Sequence, residues 1–188
     1  MNKAVFLDRD GTLLEDIDYN CHFQEQIVFP FTVKALKQLR LGGFLLVLAS
    51  NQSAVARGLC SPEQVETFHR LMQEFFLARG VYLDAYHYSP FHPEGIVPEF
   101  SRRDNSRKPG PGMLRQAARN LNIDLSASYM IGDQHSDLLA ATAAGCTPIL
   151  VLTGKGQRTL ADLQAAGEKG FLLVPDLMQA TELILSRQ

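Results

Sequence analysis

The chain has 188 residues, a formal net charge of −2 and a hydrophobic fraction of 46%, which suits one domain that buries roughly 70% of its unfolded surface without disulfides or a structural metal. The slight acidity argues against a nucleic-acid or anionic-membrane partner held by bulk electrostatics, and no apolar run approaches a membrane span. Three scattered cysteines, Cys21, Cys60 and Cys146, form no CxxC pair, and the N-terminus lacks a signal-peptide core, so a reducing, cytoplasmic setting is expected.

The first apolar run predicts a strand over 4–7 that stops on Asp8 and Asp10. Residues two apart on an extended segment point the same way, so the two carboxylates repel unless a cation or proton sits between them. Gly11 permits a sharp exit from the strand, and Thr12 adds a hydroxyl. Residues 13–30 then join no clear helix and read as a flap-like segment. A helix over 32–41 is stopped by Gly42-Gly43, and a strand over 44–49 ends in Ser50-Asn51-Gln52-Ser53. Ser61-Pro62-Glu63-Gln64 is a helix start, with Ser61 at the N-cap and Gln64 at N3. It opens a helix over 62–79 whose Phe68, Leu71, Phe75 and Phe76 are spaced to face a core.

A strand over 85–88 leads into a proline-, glycine- and arginine-rich loop, 89–109, that closes on Arg107-Lys108-Pro109. A loop of that length in a compact domain is usually functional. Helix 110–121, strand 129–131 ending in Gly132-Asp133 with Asp137 four residues on, helix 136–144, strand 148–152, helix 159–166, strand 170–174 and helix 176–186 complete the chain. Apolar strands interleaved with helices imply an α/β fold, a three-layer Rossmann-like parallel sheet covered on both faces. A single domain over 1–188 is expected, with no large cap domain and one long loop insertion.

Four strand ends thus carry polar residues, and in such sheets ligands bind beyond the carboxyl ends of the strands. Taken singly, each has a plain structural reading: Ser50 and Asn51 suit a turn, Lys108 suits a solvated loop, and Asp133 suits a helix cap. Together they offer a nucleophile, a hydroxyl donor, a positive charge and a metal-binding carboxylate, the set that phosphoryl transfer needs.

Asp8-Arg9-Asp10-Gly11-Thr12, Ser50, Lys108 and Gly132-Asp133 with Asp137 resemble the four signature motifs of the haloacid dehalogenase-like (HAD) phosphohydrolases. Within them, Ser50-Asn51-Gln52-Ser53-Ala54-Val55-Ala56-Arg57-Gly58 and Arg107-Lys108-Pro109-Gly110-Pro111-Gly112-Met113-Leu114 are similar to the D,D-heptose 1,7-bisphosphate phosphatases. The resemblance implies that Asp8 attacks phosphorus and Asp10 serves as acid and then base. It implies Mg²⁺ held by Asp8, the Asp10 carbonyl and Asp133, with Ser50 and Lys108 steadying the transferring group. Asp16, Ile17, Asp18 and Tyr19 of the flap, with Asn51, Gln52, Ser53, Arg107 and Gln134, are implied to bind a small sugar phosphate. Arg57 is left with two readings, a distal phosphate or an acid on its own helix. His69 and His135 read as structural.

Two departures stand out. The Cys-x-His and Cys-x-Cys zinc ligands usual in the long loop are replaced by Ser89, Phe91, Asp104 and Ser106, and nearby His87 and His92 lack fitting spacing, so no zinc is expected. Packing of Phe91, Ile96, Val97 and Phe100 is expected to order the loop instead. Relatives often carry a lysine where this chain has Gln134. The expectation is a monomeric phosphatase acting on a heptose bisphosphate, with no nucleic-acid or membrane partner. Histidinol phosphate, another small phosphoester, a polynucleotide 3′-phosphate and a catalytically silent binding role are the alternatives.

Overall fold

The computed structural model describes residues 1–187. Strands β1 (Lys3–Leu7), β2 (Phe44–Asn51), β3 (Ala85–Ser89), β4 (Tyr129–Gly132), β5 (Thr147–Val151) and β6 (Leu172–Val174) form one sheet in the order β3-β2-β1-β4-β5-β6. Every pairing is parallel; β1 lies between β2 and β4, with Val5 in register with both Leu46 and Tyr129. The chain builds outward from β1 to β3, then returns to the other side of β1 and builds outward again. The reversal falls between β1 and β4, where a crevice opens beyond their carboxyl ends.

Strand alternation sorts the core. Val5, Leu7, Leu46 and Leu48 face one side and join Leu36 and Leu39 of α1 (Thr32–Leu41), Phe68, Met72 and Phe76 of α2 (Pro62–Ala78) and Ile184 of α6 (Leu177–Leu185). Ala4, Phe6, Val47 and Ala49 face the other and meet Met113, Leu114 and Ala117 of α3 (Gly112–Leu121) and Ala141 of α4 (His135–Ala144). Leu163 of α5 (Gly156–Ala166) packs on Leu138 and Leu150 on that same side. The expected capping box forms at Ser61, whose hydroxyl accepts from the Gln64 N–H.

Element boundaries shift where glycines meet backbone. Helix α5 begins at Gly156, three residues before the expected start; a Cβ there would fall 1.8 Å from the Val151 carbonyl oxygen, so the turn before it is tighter than the sequence suggested. Helix α3 begins at Gly112 because Gly110 is pressed against the carbonyls of Asn105 and Arg107. In α2 it is Met72, not Leu71, that is fully buried.

The flap doubles back on itself: the Glu15 N–H donates to the Ile27 carbonyl at 2.8 Å and Leu14 bridges Val28. Fully buried Leu13 and Leu14 anchor its base. Its outer limb corrects the cysteine reading, because Cys21 is disulfide-bonded to Cys60 with the Cα atoms 5.9 Å apart, within the usual range for a bridge. Fold proximity, which spacing alone does not reveal, makes this pair. Cys146 is free and buried. The long loop also departs from expectation. Phe91 and Phe100 do pack, with ring centroids 6.0 Å apart, but Ile96 is 78% exposed. That stretch is pinned through backbone: the Ile96 and Val97 N–H groups both donate to the Ala56 carbonyl. Among the described residues no helix is long and apolar enough to cross a membrane.

Candidate active site

Asp8 lies one residue past β1, and its N–H continues the ladder to the Ile131 carbonyl at 3.0 Å. Its carboxylate accepts from the Arg9 N–H at 2.8 Å and meets the Lys108 ammonium at 2.9 Å. Lys108, fully buried at the end of the long loop, also meets Asp137 at 2.6 Å and donates to the Ala49 carbonyl at 2.7 Å. Burial works against its charge, yet Asp137 and then Asp8 outweigh burial and hold its pKa above the ordinary lysine value. Lys108 is therefore a fixed cation. Asn51 holds the loop end in place: its side chain donates to the Lys108 carbonyl at 2.9 Å and accepts from the Lys108 N–H at 3.0 Å.

Asp10 does not share this cluster. Both of its oxygens accept from the Arg9 guanidinium, at 3.0 and 3.1 Å, and one also accepts from the Gln52 amide at 3.1 Å. The same amide donates to the Ser50 hydroxyl at 2.9 Å, so strand ends β1 and β2 are tied together across the crevice. Arg9 is buried over the Phe68 ring, 4.1 Å from its centroid, with His69 at 3.5 Å.

Asp8, Asp133 and Asp137 present carboxylate oxygens all within 4.8 Å of one another. One Asp133 oxygen accepts from the Lys155 N–H at 2.7 Å, while the other is buried with no hydrogen-bond partner among the described residues. Burial, then the charges of Asp8 and Asp137, push the Asp133 carboxyl well above the usual carboxylate range. Burial also raises Asp137. A buried cluster of hard oxygen donors with one orphaned oxygen fits a divalent cation such as Mg²⁺. Glycines make room for it: at Gly132 a Cβ would lie 2.2 Å from an Asp137 oxygen, and at Gly11 (φ +79) 2.1 Å from an Asp133 oxygen.

A cavity of about 390 Å³ opens above this floor, lined by every catalytic or substrate-binding residue expected from the sequence except Arg57, with Asp133 and Asp137 outside its lining. Asp16, Ile17, Asp18 and Tyr19 line it from the flap, Ser50, Asn51, Gln52 and Ser53 from the end of β2, and Arg107 and Gln134 complete the lining. Arg57 sits outside. It lies in a turn rather than a helix, 3.4 Å from His92 and 5.8 Å from the Tyr19 ring. Among the described residues it has no acidic partner, so pairing with an acid on its own helix is excluded. It stands close enough to Arg107 that burial and then its charge hold Arg107 below the usual arginine range.

The four positions where the family resemblance implies zinc ligands hold other contacts. The Ser106 hydroxyl bonds Asp104 at 2.7 Å and Ser89 at 3.2 Å, and Arg102 lies 3.9 Å over the Phe91 ring. Two hydroxyls, one carboxylate and a phenyl ring do not fit zinc. Sequence reasoning assigned no role to Arg9, Asp137 or Lys155. Asp137 was visible as the partner of Asp133 at i+4; Arg9 and Lys155 carried no local signal.

Residues 105–180 match the HAD-hydrolase-like family. A D-glycero-beta-D-manno-heptose-1,7-bisphosphate 7-phosphatase from Yersinia pestis is 45% identical over 153 residues, 81% of each chain. One from Haemophilus ducreyi is 45% identical over 175 residues, 92% of each. Among solved structures, the D,D-heptose 1,7-bisphosphate phosphatase from B. bronchiseptica, complexed with magnesium and phosphate, superposes with a TM-score of 0.86 at 34% identity, covering 99% of both chains.

Proposed function

The chain belongs to the HAD-like phosphatases, within the D,D-heptose 1,7-bisphosphate phosphatase family, and on that premise we propose that it removes the 7-phosphate from a heptose 1,7-bisphosphate. The observation that carries the chemistry is the buried Lys108 ammonium fixed between Asp8 and Asp137 beneath the cavity. It orients Asp8 and sets a positive charge where a phosphoryl group meets that carboxylate. Asp8 attacks phosphorus in line with the leaving sugar oxygen, forming an aspartyl-phosphate and dividing hydrolysis into two easier steps. Asp10, on the far side of the cluster, delivers a proton to the departing alkoxide and then takes one from the incoming water.

Ser50 and the Asn51 backbone hydrogen-bond the phosphoryl oxygens. Gln52 orients Ser50 and Asp10 together through its one amide. Asp8, Asp133 and Asp137 are the residues that would hold Mg²⁺, with the Asp10 carbonyl; when bound, the ion neutralises the clustered carboxylates and withdraws charge from the phosphoryl oxygens. The flap residues 16–19, with Arg107 and Ser53, enclose the sugar.

The test is phosphate release from heptose 1,7-bisphosphate, histidinol phosphate and 3′-phosphorylated DNA, each with and without Mg²⁺. Release from the heptose substrate should be fastest and should need Mg²⁺. Asp8→Asn should lower kcat by at least about a thousandfold, as loss of a covalent nucleophile does. Preference for another substrate would overturn the substrate reading, and an active Asp8→Asn enzyme would overturn the nucleophile.

A further inference from the structure

We propose that Lys155 is a positioning residue of the active site: its ammonium holds the flap carboxylate of Asp16 in the cavity wall and thereby sets affinity for a polyhydroxylated phosphate ester. The inference rests on the sugar-phosphate reading above and adds a residue outside the signature motifs. Lys155 ends the short turn after β5, and that turn is bound to the catalytic floor at three points. The Thr153 hydroxyl donates to the Gly11 carbonyl at 2.6 Å. Gly154, at φ +56, approaches so closely that a Cβ would lie 2.5 Å from the Gly11 Cα and 2.3 Å from an Asp133 oxygen. The Lys155 N–H donates to that same Asp133 carboxylate.

From this rigid base the Lys155 side chain reaches across to the flap, meeting Asp16 at 2.7 Å and Asp18 at 3.7 Å. Lys155 itself lines the cavity, as does the uncharged Gln134. Four carboxylates, Asp8, Asp10, Asp16 and Asp18, and four cations, Arg9, Arg107, Lys108 and Lys155, line that cavity. Arg9 is committed to Asp10 and Lys108 to Asp8. Lys155 is the cation paired with the flap acids Asp16 and Asp18. Held this way, the Asp16 carboxylate still has lone pairs for substrate hydroxyls. The base of the flap is tied by Glu15 to Ile27, and its outer limb by Cys21 to Cys60. Among the described residues, Lys155 supplies the ion pairs of the stretch between them, 16–19.

The ion pair is half exposed, so its weight lies in ordering the flap rather than in global stability. A side-chain substitution spares the Lys155 N–H and its bond to Asp133, so turnover of a small ester that does not reach the flap should be untouched. The experiment compares wild type, Lys155→Met and Lys155→Arg on heptose 1,7-bisphosphate and on p-nitrophenyl phosphate, together with the rate of native-state chymotryptic cleavage after Tyr19. Lys155→Met should raise KM for the heptose ester about 10- to 50-fold, the value of one charge-assisted contact, with kcat within about threefold. Its kcat/KM for the aryl ester should stay within about threefold, cleavage after Tyr19 should accelerate about tenfold, and Lys155→Arg should restore both. Equal loss on both esters, or unchanged KM with unchanged cleavage, would overturn the role. If wild type releases no phosphate from the heptose ester, the substrate reading fails. Cleavage and its recovery in Lys155→Arg then still decide whether Lys155 holds the flap.

Discussion

Acid should loosen this protein through His69. The ring is 6% exposed on the inner face of α2, between the Tyr86 and Tyr88 rings at 5.7 and 5.6 Å, with Nε2 facing an Arg9 nitrogen at 3.5 Å. An arginine can only donate, so that Nε2 is an acceptor and the imidazole is neutral with its proton on Nδ1. Burial, and then the Arg9 charge, depress its pKa from 6.5 to about 3. The folded-state value lies below the unfolded one, so the stability at stake is complete above pH 6.5 and is lost as pH falls from there toward 3. At one and a half pH units below 6.5 the loss is about 2 kcal/mol, taking 1.36 kcal/mol per unit. The assay is urea unfolding of wild type and His69→Gln at pH 7 and pH 5. His69→Gln costs stability at both, through lost packing, but its drop between the two should be smaller than that of wild type by about 2 kcal/mol. The carboxylates titrate in both proteins and cancel in the difference. Equal drops would refute the reasoning. In the folded enzyme the ring takes up its proton only near pH 3, so over the range where stability falls the Arg9 grip on Asp10 should be unchanged.

The Asp133 carboxyl behaves in the opposite sense. Its folded-state pKa is raised, so the associated stability is present at low pH and is lost as pH rises through that raised value. In chelator, Asp133→Asn, which mimics the protonated acid and keeps an acceptor for the Lys155 N–H, should melt higher than wild type at pH 8 and by a smaller margin at pH 5. Added Mg²⁺ should stabilise wild type and leave the variant unchanged; a variant that melts lower than wild type in chelator at pH 8 would contradict this. The Cys21–Cys60 bond spans a sequence separation of 39, and loop-closure entropy puts its contribution at up to about 4 kcal/mol. Protein unfolded without reductant should titrate one thiol, from Cys146, and three after reduction, with the urea midpoint lowered by reduction. Three thiols without reductant would remove the bridge.

Much of the fold was legible because its cues are local. Apolar runs and helix signals placed all six strands and all six long helices, and strand parity placed Asp8 and Asp10 beyond β1. The gathering of Asp8, Asp10, Ser50 and Lys108 around one cavity was legible because each motif sits at a strand end or closes the loop that follows one, where topology does the gathering. Helix starts were misplaced at Gly110 and Thr159, where a glycine's value depends on a carbonyl elsewhere in the turn. Leu71 and Met72 differ by one helical step of 100°, which periodicity alone resolves poorly.

What escaped the sequence shares one physical feature: each contact joins residues whose own neighbourhoods do not call for it. Cys21 and Cys60 meet because the flap folds back onto the turn before α2. Arg9 was overlooked because a cation between two acids reads as local charge balance, whereas burial over Phe68 makes it the fixed partner of Asp10. Lys155 lies in a Gly-Lys-Gly turn that reads as an exposed connection. Its weight comes from Gly154, whose missing Cβ lets the turn press on Gly11 and Asp133, and from a flap carboxylate 139 positions away in sequence. A closely approaching glycine beside a charged residue at a strand end is therefore the signal to look for. The glycine brings the backbone onto the site, and the neighbour's side chain is then fixed within reach of whatever covers it.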